Sequence, residues 1–159
     1  MGVDGKGGFC AWASMVVGYK LTLPTEAQFE FASRGGRDGL AYPWGNKFDE
    51  SKLWCSVKTD RAASAPVVRK SNIYRNAFGL TDMVGNVFQW CSDVFGPYVK
   101  IPEVNPTGPS DSSSMQRVIR GASFARKNFD FRIARRNGNP KDKQYDEVGF
   151  RLMAPVVQK

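Results

Sequence analysis

Asn76–Asp93 reads NAFGLTDMVGNVFQWCSD, and its two halves follow different rules. The first half crowds Phe78, Leu80, Met83 and Val84 around Gly79 and Gly85 with no sustained period. Gly85–Asn86 is a turn signal. From Val87 the pattern switches to alternation. Val87, Gln89 and Cys91 fall on one face, and Phe88 and Trp90 fall on the other. Successive side chains on a strand point to opposite faces, so VFQWCSD predicts a strand.

Upstream, the strongest local signal is LPTEAQFEFASRGG, Leu23–Gly36. Thr25 can cap a helix, and Gln28 three residues later can return the bond. Glu26 suits the positive end of the helix dipole, and Gly35–Gly36 ends the run. The spacing predicts a helix from Thr25 to Ser33. Phe9–Val17, FCAWASMVV, reads as a short, largely buried helix ended by Gly18. Tyr19–Leu23 alternates weakly and stops at Pro24. Between Arg37 and Tyr74 no period is sustained: YPWGN means turns, and SAPVVRKSNIYRN is expected to run extended along the surface.

Downstream, VNPTGPSDSSS is a loop. RVIRGASF and VGFRLMAPV are the last two strands, and NGNPKDKQYDE between them reads as a polar surface loop. The expected class is α+β: one or two helices, short antiparallel strands and much irregular loop. Sixteen Gly and nine Pro fit many turns rather than a helical bundle. At 159 residues the chain suits a single domain over 1–159, with 1–8 flexible.

Net charge is +8, so acidic partners are favoured. No nucleic-acid motif accompanies the charge, so specific nucleic-acid binding is not expected. The chain has no histidine, which removes Ser-His-Asp triads, Cys-His dyads and His-bound zinc. Cys10, Cys55 and Cys91 form no CxxC pair. They leave either one disulfide with an odd thiol or buried free cysteines. MGVDGKGGFCAW lacks the features of a signal peptide, and no apolar run reaches membrane-spanning length. The compartment is left unknown.

The motifs LPTEAQFEFASRGG, YPWGN, NAFGLTDMVGNVFQWCSD, NPTGPS, RVIRGASF, RIARRNG and VGFRLM occur in this order. Together they resemble the formylglycine-generating enzyme, or sulfatase-modifying factor, family over about Phe9 to Ala154. The resemblance implies a C-type-lectin-like fold variant. It also implies an N-terminal strand that this chain lacks, so an N-terminally truncated domain is expected, with a sheet edge that a partner chain could complete. Enzymes of that family resemble copper oxidases that hold Cu(I) on two thiolates after a GGS strand. Here Gly121–Ala122–Ser123 is followed by FARKNFDFRIARR, which places Arg126 and Asn128 about where the thiols would sit. No cysteine lies C-terminal to Cys91. Copper is therefore not expected, and a pseudoenzyme is.

The resemblance also implies a Ca²⁺ site on Asp82, Gly85, Val87 and Gln89, with Gln89 a weaker ligand than the family's Glu. The alternative is that Asp82 caps a turn and Gln89 hydrogen-bonds the loop. A second implied Ca²⁺ site would put Lys52 at an oxygen ligand's position, with Asp60 left to contribute. Arg120, Arg132 and Arg151 are read as structural salt-bridge partners of Glu30, Asp82 or Asp93, and Trp44 and Trp90 as framework. The expected binding face is Arg126, Asn128, Arg135, Arg136, Asn137 and Tyr145. Such a groove can hold a carboxylate, sulfate or phosphate bidentately and stack on a ring. The expected function is a non-catalytic domain that binds a protein, an anionic small molecule or a glycan through its C-terminal loops. The alternative is a formylglycine-generating oxidoreductase-like enzyme, or a fragment of one, with altered chemistry.

Overall fold

A computed structural model describes residues 8–55, 64–65, 74–98, 100, 103–110, 114–126 and 131–154. Helix α1 spans Phe9–Val17 and helix α2 spans Glu26–Arg34. The start of α2 is fixed by its own side chains. Thr25 Oγ1 accepts from the Gln28 N–H at 3.2 Å, and Gln28 Oε1 accepts from the Thr25 N–H at 2.8 Å. Two amides that a helix start leaves unpaired are thereby satisfied. Gly35, left-handed at φ 61°, closes the other end. Thr25→Ala is expected to cost about 1 kcal/mol, read as a lower urea midpoint, and an unchanged midpoint would remove the cap's role.

Four short strands form one sheet: β1 Phe88–Val94, β2 Gln116–Arg120, β3 Arg136–Pro140 and β4 Val148–Gly149, in spatial order β3-β2-β1-β4. β1–β2 and β2–β3 are antiparallel, with Trp90 opposite Ile119 and Ile119 opposite Asn137. β4 runs parallel to β1, so the sheet is mixed and not wholly antiparallel as expected. The register breaks between Trp90 and Val94.

The alternation in β1 separates two cores. On one face Phe88 and Ile119 join Tyr42, Leu53, Cys55, Ala122 and Phe131, with Trp44 and Trp90 packed against them. On the other face Cys91 and Val118 meet Phe29 of α2 and Met83. Behind the second core lies a buried ion cluster. Arg120, fully buried, reaches Glu26 at 3.2 Å and also bonds Glu30. The Glu26 carboxylate also accepts two bonds from Arg136 at 2.8 Å and one from the Tyr98 hydroxyl at 2.8 Å.

Three expectations change. The described residues 148–154 of VGFRLMAPV yield only the two-residue β4 and a bridge from Met153 to Thr22. NGNPKDKQYDE does not begin as a loop: its first residues extend β3, because the exposed ladder of β2 supplies partners along Gln116–Arg120. Helix α1 is not largely buried. Only Ala13 is, whereas Phe9, Trp12, Met15, Val16 and Val17 are exposed. The helix is held by its ends, through the Leu21 N–H on Ser14 Oγ at 2.8 Å and by Phe9 against Phe150 at 5.2 Å. Among the described residues no helix is long and apolar enough to cross a membrane. The expectations for residues 1–7, for Asp60 and for most of SAPVVRKSNIYRN lie outside the described residues.

At Gly85 the turn before β1 crosses the rest of the chain at backbone contact. Its N–H donates to the Gly121 carbonyl at 2.7 Å. Its φ is 81°, and a Cβ there would lie 2.8 Å from the Trp54 carbonyl oxygen.

Candidate functional site

A cleft of about 490 Å³ opens on the sheet face opposite α2. Phe88, Ile119 and Val148, from β1, β2 and β4, supply apolar surface. Asn137 and Asn139 come from β3, two residues apart and so on one face of the strand. The remaining lining comes from Phe95 after β1, Gly138 of β3, Arg126 after the β2 turn, Arg135 before β3, and Tyr145, Asp146 and Glu147 before β4.

Local hydrogen bonds place these groups. The Phe124 N–H donates to the Asn86 carbonyl at 2.7 Å, and the Arg126 N–H to the Ser123 carbonyl at 3.2 Å, which turns the chain directly after β2. The Phe88 N–H donates to the Glu147 carbonyl at 2.8 Å, which ties the far loop to the sheet. Arg126 Nε lies 3.2 Å from Glu147 Oε2, and its guanidinium sits 5.5 Å from the Phe88 ring centroid. Glu147 in turn accepts from the buried Ser123 hydroxyl. The Arg126 head is thus held on one edge and one face. Arg126, Arg135, Asn137 and Tyr145 line the same cleft. Asn128 lies outside the described residues.

Arg136 does not join them. Its guanidinium binds both Glu26 carboxylate oxygens and the Gly96 carbonyl at 2.7 Å, and it stacks 4.2 Å from Tyr98. Adjacent strand residues face opposite ways. Arg136 is opposite Arg120 in the register and shares its ion cluster behind the sheet. Asn139, Asp146 and Glu147, from the loop Asn137–Glu147 that the sequence offers as a binding face, also line the cleft. The two carboxylates sit among lysines, and only the long-range pairs of Glu147 to Ser123 and Arg126 mark its place.

The thiols lie elsewhere. Cys55 and Cys91 are fully buried on opposite faces of the sheet, and no disulfide joins the three cysteines. Burial, with the nearby Asp93 charge, pushes the Cys91 thiol well above its usual range. It is therefore a poor source of thiolate.

The turn proposed for Ca²⁺ serves an internal cation. Gln89 Nε2 donates to the Asp82 carbonyl at 2.7 Å, and Gln89 Oε1 accepts from Arg151 Nε. Arg151 also donates to the Thr81 carbonyl at 3.0 Å. Burial lowers the Arg151 pKa, and the Asp82 charge opposes that shift. The Gln89 oxygen, one of the ligands the resemblance implies for an ion that takes six to eight oxygens, is thus engaged by a guanidinium. Among the described residues no three Cys, Asp or Glu side chains converge on a metal position. The melting temperature is expected to be the same in excess Ca²⁺ as in chelator. A rise of more than about 2 °C, abolished by Asp82→Ala, would restore a Ca²⁺ role.

Residues 5–156 match the family model of the sulfatase-modifying factor enzyme 1-like domain. The formylglycine-generating enzyme of Streptomyces coelicolor is 35% identical over 143 residues, covering 81% of this chain and 45% of that protein. The inactive C-alpha-formylglycine-generating enzyme 2 of Mus musculus is 34% identical over 161 residues, covering 91% and 44%. The chain thus spans under half the length of these curated relatives. The structure of PvdO from Pseudomonas aeruginosa superposes with a TM-score of 0.77 at 26% identity, covering 90% of this chain and 56% of that one.

Proposed function

The chain belongs to the sulfatase-modifying factor domain family, and from that premise we propose that it is a non-catalytic binding domain that takes an anionic ligand in the cleft beside Arg126. Membership alone does not choose between chemistry and binding, since the relatives include an enzyme and a protein named as inactive. The observation that carries the reading is the Arg126 guanidinium, held by Glu147 and Phe88 in a cleft whose other polar lining is Arg135, two amides, a phenol and the Asp146 carboxylate, with no thiol among the lining residues. A guanidinium fixed before binding loses little freedom on binding and matches an oxyanion in two-point contact.

Two measurements test it. With a Cys-containing sulfatase peptide, Cu(I) and oxygen, no aldehyde is expected to form. Turnover that disappears on Cys55→Ser or Cys91→Ser would overturn the reading in favour of an oxidoreductase with altered chemistry. In chelator-treated buffer, citrate is expected to bind saturably, and Arg126→Gln to weaken it about tenfold, the worth of one charge-assisted hydrogen bond. Arg75→Gln, an exposed arginine outside the cleft, should leave the affinity unchanged. Equal loss from both arginines would mean charge attraction alone.

A further inference from the structure

The cleft carries charge of both signs, and that limits what fits it. Arg126 uses Nε for Glu147, and no described residue takes a hydrogen bond from its two terminal nitrogens. That edge is the part of a guanidinium that grips a carboxylate. Asp146, next in the chain to Glu147, also lines the cleft and makes no ion pair with a described residue. The Asn137 and Asn139 amides and the Tyr145 hydroxyl make no side-chain hydrogen bond to a described residue. The apolar lining is half-buried Val148 and Phe95, together with Phe88 and Ile119, which are almost fully buried in the core.

A plain anion would satisfy Arg126 and leave Asp146 facing the same negative charge. A plain cation would meet the reverse mismatch. Like charges brought together in a partly closed site disfavour binding, and opposite charges favour it. We infer that the ligand is a small zwitterion of the amino-acid type, with its carboxylate on the Arg126 edge, its ammonium toward Asp146 and an apolar side chain against Val148. The inference rests on the reading of this cleft as a ligand site. It adds the second charge and the apolar body, which that reading leaves open.

Three probes with one common body separate the possibilities: L-phenylalanine, 3-phenylpropionate, which lacks the ammonium, and phenethylamine, which lacks the carboxylate. By calorimetry on the intact chain, L-phenylalanine is expected to bind about tenfold or more tightly than either analogue, one charge-assisted contact being worth that factor. Asp146→Asn should erase the preference over 3-phenylpropionate, weakening L-phenylalanine and tightening 3-phenylpropionate as the like charge is removed. Arg126→Gln should erase the preference over phenethylamine. Asp146 is exposed, so its variant is not expected to unfold the chain, and an unchanged melting curve checks that. If 3-phenylpropionate binds as tightly as L-phenylalanine, the zwitterion is overturned and the anion site stands. If L-phenylalanine does not bind at all while citrate binding still depends on Arg126, the zwitterion is again overturned alone. If neither L-phenylalanine nor citrate binding responds to Arg126→Gln, both readings fall together.

Discussion

Arg120→Met is expected to cost the fold about 3–5 kcal/mol, the range for removing one partner of a buried ion pair. Arg120 is fully buried, and its guanidinium bonds Glu26, Glu30 and the Ala134 carbonyl at 3.3 Å. Methionine fills much of the volume and satisfies none of these groups. Arg136 still holds Glu26, so the damage centres on Glu30, whose remaining cation is Arg34 at 2.6 Å. Total stability of a chain this size is typically about 5–15 kcal/mol, so the loss would be plain in a urea melt followed by tryptophan fluorescence. A shift below about 1 kcal/mol would mean the pair contributes no more than an exposed one. The double variant Arg120→Met/Glu30→Gln should be less damaged than Arg120→Met alone, because the half-buried Glu30 carboxylate is then not left with Arg34 as its one cation among the described residues.

The same cluster sets an acid-side dependence. Burial pushes the Glu30 carboxyl up, but the Arg34 hydrogen bond and the Arg120 charge outweigh it and hold the pKa below its ordinary value. A carboxyl whose folded pKa is depressed contributes stability above its unfolded pKa. That contribution is lost as pH falls through the folded value. Stability of the wild type should therefore decline below about pH 4.3, the ordinary value for Glu. The decline should be shallower in Arg120→Met, which has less of the depression to lose.

Gly85→Ala is expected to cost about 2–5 kcal/mol, from roughly 1–2 for a left-handed non-glycine residue and roughly 1–3 for overpacking. The new methyl would sit 2.8 Å from the Trp54 carbonyl and 3.2 Å from Leu53 Cβ, and a backbone oxygen cannot swing aside as a side-chain tip can. Gly79→Ala is the control. Its φ is 75°, and nothing lies within 4 Å of the added atom, so only the conformational cost remains. Thermal melts of the two variants should differ by several degrees. Equal losses would show that crowding at Gly85 contributes nothing.

Elements fixed by near neighbours could be read from the sequence. The Thr25–Gln28 box is closed within one turn, and the alternation of β1 is complete in its own residues. Strand β3 could not be read this way. Asn-Gly-Asn-Pro has poor strand propensity, and the segment is extended because β2 offers a ladder. Phe95 also lies so close over Gly138 that a Cβ there would fall 2.4 Å from its ring. The site divides along the same line. Arg126, Arg135, Asn137 and Tyr145 could be placed from their position after Ser123 and before the last strand. Arg135 and Arg136 are identical in type and adjacent in sequence, yet they have different fates. Which one faces the cleft depends on the pairing of Arg136 with Arg120, a fact of register and not of composition.

The cluster around Glu26 also sets an order of events during synthesis. Helix α2 can form from its own capping box, but Glu26 meets Arg120 after 94 residues of further chain and Arg136 after 110. At translation rates of about 5–20 residues per second, the helix waits on the order of 5–20 s for the second arginine. During that interval Glu26 remains hydrated and the apolar face around Phe29 lacks the sheet that covers it. A helix of nine residues is marginal on its own in water, so the nascent chain is most open to a chaperone or protease during this interval, and docking of α2 belongs to the last stage of folding.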